Sequence, residues 1–181
     1  MSHAYSEDQL VEQPAIGLFA ELGWSVVAPP TDSGVAGERP DAGLLGRETT
    51  GEVILVSRLC AVLKKLNPVL PPEAIATAVD ELTRDRSAMS LEAANREVYG
   101  LLKEGITVSV PDRERGGQRT ERLRVVDWEN PTNNEYLLVS QFSVTGALYT
   151  CRPDLVGFVN GLPMVIIELK KPGVPARQAF D

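Results

Sequence analysis

The sequence predicts a mixed α/β (α+β) chain, with a helical segment over residues 51–105 and a strand-rich part over 106–171. Three observations predict it. Apolar residues recur at helical spacing in successive stretches before Gly105. Alternation of period two starts at Ile106. Near the end, Asn160-Gly161 separates two short apolar runs, the strongest local signal for a β-hairpin.

The elements follow in order. Ser6 followed three residues later by Gln9 is a capping-box start for a first helix. Leu10, Val11, Ala15, Leu18, Phe19 and Leu22 give that helix its apolar stripe, and Gly23 ends it. Pro14 lies inside the stripe and should split or kink the helix. Residues 24–28 read as a short strand halted by Pro29-Pro30, and residues 31–50 as a long glycine-rich loop. Gly34 and Gly37 lack both a Walker lysine and a following helix pattern, so they do not make a phosphate cradle.

From Glu52 a helix runs to Asn67-Pro68. Another starts near Pro72, a tolerated first-turn proline, and reaches about Arg86. The next is N-capped by Ser90 and stops at Gly105. Residues 106–110 then form a strand, 113–119 a charged turn, and 123–126 the partner strand. After a polar loop at 128–134, residues 135–145 read as one long strand leading into the hairpin. Both hairpin strands are apolar on both faces, the pattern of strands covered on two sides. Past Lys171, two prolines break the strand and residues 176–180 begin a helix.

Composition narrows the function. A formal charge of −7 makes the chain a poor autonomous nucleic-acid binder, since non-specific affinity comes from neutralising phosphates. Any DNA substrate has to be held by something else. Cys60 and Cys151 fit no metal-ligand spacing, so a reduced compartment is the default reading and a single disulfide the alternative. The N-terminus has neither a basic nor an apolar leader region, and no apolar run approaches the roughly 18 residues of a membrane span. The expectation is a cytoplasmic protein.

Asp154, Glu168 and Lys170 cluster at the end of the hairpin away from its turn. Glu168 and Lys170 are two apart and share a face. Asp154 joins them only in one register. A three-residue loop at 160–162, or an equivalent bulge, sets Asp154 opposite Glu168, whereas a plain two-residue turn sends the carboxylates to opposite faces. Adjacent carboxylates repel unless they share a cation, and hard oxygen ligands of this kind suit Mg²⁺, with the Leu169 carbonyl as a further donor. With a lysine beside them they form a kit for metal-assisted phosphodiester hydrolysis. The plain alternative is a surface ion pair of Glu168 with Lys170 or Arg152, with Asp154 capping the strand.

The run Pro153-Asp154 followed by Glu168-Leu169-Lys170 matches the PD-(D/E)xK nuclease motif. Residues 127–134, Gln141-Phe142-Ser143-Val144 and 152–172 together closely resemble the N-terminal nuclease domain of the restriction subunit of type I restriction-modification enzymes. Residues 10–14 and Leu22-Gly23-Trp24 are similar to that family's first helix. The resemblance implies a restriction-endonuclease-like core with a mixed central sheet flanked by helices, the 51–105 helices being an insertion, and Mg²⁺-dependent cleavage of double-stranded DNA. It implies Asp154 and Glu168 as metal ligands, Lys170 as the catalytic lysine, and Glu12 as an acidic position assisting the metal, unless Glu12 is a solvated helix glutamate.

Implied partners are the modification and specificity subunits and the subunit's own ATP-driven motor domains. No Gly-x-x-x-x-Gly-Lys-Ser/Thr loop occurs in these residues, and Gln178 is not followed by the family's tyrosine. The chain therefore reads as a truncated endonuclease domain over 1–181, with ATP used only in the motor. The alternative is an inactive nuclease fold that serves as a docking module.

Overall fold

The computed structural model describes residues 8–27, 45–112, 115–146 and 148–179. Among these residues it is a mixed α/β structure with four α-helices and a mixed central sheet, the predicted class. The expected capping box at Ser6, most of the 31–50 loop and part of the 113–119 turn lie outside the described residues. Among those described, no helix is long and apolar enough to cross a membrane, and Cys60 and Cys151 are free thiols.

The chain divides into two compact units. The first comprises residues 1–55 and 136–181. Here the first helix is split as Pro14 predicts: a π-helical turn at Asp8–Glu12 gives way to α1 at Gln13–Glu21, with the proline in the first turn where its missing N–H costs nothing. Strand β1, Ser25–Val27, pairs in parallel with β4, Tyr136–Ser140. β4 pairs antiparallel with β7, Leu155–Val159, and β7 with β8, Leu162–Ile167. The sheet order is β1-β4-β7-β8.

Its core is Leu45, Leu55, Leu137, Val139, Phe142, Val156 and Phe158, with the rings of Phe142 and Phe158 edge to face at 5.1 Å. Burying apolar surface of this kind, aromatic rings included, stabilises the unit. Trp24 ties helix to sheet: Phe19 of α1 meets its indole edge-on at 5.2 Å, and the indole lies over Gly157 of β7. A Cβ at Gly157 would stand 3.1 Å from the Trp24 ring, so any larger residue would push the indole back by a few tenths of an ångström.

Two sequence expectations need correction here. Residues 135–145 are not one strand. β4 ends at Ser140, Gln141 turns the backbone to φ 54°, and Val144–Thr145 forms β5, paired with β6 at Thr150–Cys151. Nor is the hairpin covered on both sides throughout. β7 is buried, but Met164, Val165 and Ile166 of β8 are exposed because β8 has no further strand beyond it among the described residues.

The second unit, residues 56–135, holds α2 (Val56–Leu66), α3 (Pro72–Thr83), α4 (Leu91–Glu104) and the hairpin of β2 (Ile106–Pro111) with β3 (Gln118–Leu123). Ser90 caps α4 by accepting from the Ala93 N–H, and Gly105 ends it, both as read from the sequence. The partner strand is shifted from the predicted 123–126 to 118–123. Its QRTERL sequence is largely exposed, so no apolar alternation announced it. Asn67 fastens α2 to the segment after β3, donating to the Leu63 and Arg124 carbonyls at 2.8 and 2.9 Å and accepting from the Arg124 N–H at 2.8 Å.

Candidate active site

The hairpin turn has two residues, not three. Asn160 (φ 55°) and Gly161 (φ 80°) adopt the paired left-handed conformations of a tight hairpin turn, and Val159 faces Leu162. A register of that kind, left undisturbed, would separate the two carboxylates. A bulge then intervenes. Phe158 faces Pro163 but Gly157 faces Val165, so Met164 is the extra residue, and Leu155 ends up opposite Ile167. One step further, Asp154 comes opposite Glu168. The bulge does what the three-residue loop would have done.

Asp154 is half-buried and tightly held. Its Oδ2 accepts from the Leu169 N–H at 2.7 Å, and its carbonyl accepts from the Gln141 N–H at 2.7 Å. The first bond fixes the Leu169 peptide beside the carboxylate. The second carries the β4–β7 ladder one residue past Ser140. Glu168, exposed as a residue, has its proton affinity raised above the ordinary carboxylate value. Loss of water around its carboxyl is the first cause, followed by the negative charge of Asp154 and a hydrogen bond to it, while the charge of half-buried Lys170 opposes the rise. These causes place all three groups in one electrostatic neighbourhood.

Glu12 arrives from the junction of the π-helical turn and α1. Its Oε1 accepts from Ser140 Oγ at 2.8 Å, and the Gln141 amide nitrogen lies 3.3 and 3.4 Å from its two oxygens. The same nitrogen is 3.4 Å from Asp154 Oδ1. Gln141 and buried Ser140 are thus polar members of the site that residue-type reasoning passed over. The one available signal was Gln141 itself, a polar residue closing an alternation of buried Leu137 and Val139. Among the described residues no three His, Cys, Asp or Glu side chains stand close enough together to hold a metal jointly. Of the expected hard-oxygen set, Asp154 and Glu168 stand together at the hairpin end, and a pair of carboxylates suits a cation needing few protein ligands.

Comparison with known proteins adds to this geometry. The family model described as "Type I restriction enzyme R protein N terminus" matches residues 4–181. The chain is 36% identical over 131 residues to the type I restriction enzyme HindI endonuclease subunit of Haemophilus influenzae, covering 72% of this chain and 12% of that protein. It is 30% identical over 181 residues to the putative type I restriction enzyme MjaIXP endonuclease subunit of Methanocaldococcus jannaschii, covering 97% of this chain and 16% of that protein. A shorter match, 40% over 63 residues, joins it to the EcoprrI endonuclease subunit of Escherichia coli. The chain spans only a small fraction of the length of these relatives.

Proposed function

The chain belongs to the type I restriction enzyme R protein N-terminus family, and on that premise we propose that the outer end of its β7–β8 hairpin is the endonuclease centre of such a subunit. The observation that supports this reading is the bulge at Met164, which brings Asp154 opposite Glu168. A sheet needs no such irregularity for stability, and bulges are common where a side chain must be re-aimed next to an active site.

The donor set fits Mg²⁺, which usually takes one or two carboxylates and completes its shell with water and substrate phosphate. Asp154, Glu168 and the Leu169 carbonyl would hold it. When bound, the ion polarises a phosphoryl oxygen and makes the attacking water more acidic. The remaining work falls to the chain. Leu169 N–H fixes the Asp154 carboxylate so that it need not reorganise during reaction. Lys170, on the Glu168 face, donates to the scissile phosphate, orients the water and offsets the negative charge that grows on phosphorus-bound oxygens. Attack of that water on phosphorus forms a new P–O bond as the bond to one deoxyribose oxygen breaks, and the leaving oxygen takes up a proton.

Double-stranded DNA is the substrate in this reading. The chain's charge of −7 means that other parts of the enzyme hold it: the ATP-driven motor of the complete subunit, with the modification and specificity subunits. In that complete complex, Asp154→Ala and Lys170→Ala should each abolish plasmid cleavage and leave ATP hydrolysis intact. Continued cleavage by either variant rejects the assignment.

A further inference from the structure

The metal-assisted reading leaves Gln141 without a task, although its environment is unusual. Its backbone is left-handed at φ 54°, a conformation that favours glycine and that few other residues adopt. The surroundings impose it. The Gln141 N–H is tied to the Asp154 carbonyl, Phe142 is buried against Phe158, and the Arg47 guanidinium stacks 4.2 Å from the Phe142 ring while donating to the Ser143 carbonyl at 2.9 Å. Each of these contacts is made by the backbone or by neighbours, so glycine at 141 would keep them all. What glycine would not supply is the side-chain amide. Strain of this kind, held at a site, points to a role for the side chain that bears it.

We propose that Gln141 is a positioning residue whose amide bridges Glu12 to Asp154 and so couples the first helix to the nuclease centre. The inference rests on the nuclease reading and deepens it. The amide nitrogen stands 3.3 and 3.4 Å from the Glu12 oxygens and 3.4 Å from Asp154 Oδ1, between the two carboxylates and not on either alone. Ionised carboxylates only accept hydrogen bonds, and an amide NH₂ has two hydrogens to give, so one group can serve both. Ser140 Oγ adds a further donor to Glu12 at 2.8 Å. In this arrangement Glu12 reaches the centre through the Gln141 amide. Residues that orient metal ligands in this way typically affect affinity or activity by about 10–100-fold.

The test uses the intact protein with Mn²⁺ as the probe, followed by paramagnetic resonance titration, together with the metal-free melting temperature and DNA cleavage. Gln141→Gly should weaken Mn²⁺ binding about tenfold and melt no lower than the parent, because glycine relaxes the backbone. Gln141→Met, which keeps the length and removes the donors, should lose the same affinity and serves if the glycine variant folds poorly. Glu12→Gln should match them, and the Gln141→Met/Glu12→Gln double variant should be no worse than the weaker-binding single one. Parental affinity in Gln141→Met, or losses that simply add in the double variant, would overturn the proposal. Asp154→Asn separates the two readings. If it abolishes Mn²⁺ binding and cleavage while Gln141→Met leaves both untouched, the positioning role fails and the nuclease reading stands; if Asp154→Asn still binds and cleaves, the nuclease reading itself falls.

Discussion

Asp127 and Glu168 are both acidic residues near a chain reversal, and their environments push them in opposite directions. Asp127, in the second unit, is only 3% exposed, yet its proton affinity is lowered. The largest cause is the hydrogen bond from Asn133 Nδ2 at 2.9 Å, followed by the Asn130 N–H at 3.1 Å, with Arg124 at 3.2 Å adding its charge. Glu168 is exposed, yet its proton affinity is raised. Burial alone therefore does not set the direction. Donors decide at Asp127, whose loop surrounds the carboxylate with them; at Glu168 loss of water around the carboxyl comes first, and the charge of Asp154 adds to it. One acid is finished by the fold. The other keeps a raised proton affinity, as reactive groups commonly do.

The sharpest way to break this contrast is through activity. If the proposed centre is right, Glu168→Gln in the complete enzyme should cut DNA cleavage about a thousandfold by removing one of its hard ligands. Circular dichroism should show the chain still folded. If cleavage persists, Glu168 is merely a surface acid.

Next in size comes the stability of the Asp127 loop. Asn134 accepts from the Asp127 N–H at 2.9 Å and donates to the Asp127 and Pro131 carbonyls at 2.9 and 3.0 Å, all at a buried position. Asn134→Ala should cost about 1–3 kcal/mol by leaving buried backbone groups unpaired. Denaturant unfolding would measure it.

Titration should then separate the two acids by sign. The folded-state pKa of Asp127 lies below its ordinary 3.8, so its contribution is complete above that value and is lost as pH falls through the lower, folded one. In Asp127→Asn, the stability lost between neutral and strongly acidic pH should shrink, as read from unfolding curves across that range. For Glu168 the folded value lies above the ordinary 4.5, so stability declines as pH rises from there through the folded value. Metal-free Glu168→Gln should be the more stable protein at pH 7, by no more than a few tenths of a kcal/mol because the residue is exposed. That advantage should vanish below pH 4.5. This is the smallest effect, and a destabilised Glu168→Gln at neutral pH would contradict the account.

Legibility from sequence divides along physical lines. α4 was readable at both ends because its Ser90 cap and Gly105 stop act within a few residues. The Asn160-Gly161 turn was readable for the same reason. β3 was not, since an exposed hairpin strand needs no apolar face. The residue that bulges was not readable either. Its position accompanies the close packing of Trp24 and Val165 on Gly157, a contact between distant parts of the chain. Gln141 escaped for a related reason: its neighbours in space are Glu12 and Asp154, and nothing local announces a left-handed glutamine.

The Met164 bulge acts on the hairpin as a parity bit acts on a message. With two residues in the turn and one in the bulge, the count of positions between Asp154 and Glu168 places both on one face. Deleting Met164 alone restores a plain ladder and reverses Glu168, while core strand β7 can remain as it is. Lengthening the turn by one residue while removing the bulge leaves the parity intact. Sequences related to this one should therefore tolerate single gaps between these two acids only in compensating pairs, and an uncompensated gap would mark a chain that keeps the fold but has lost the centre.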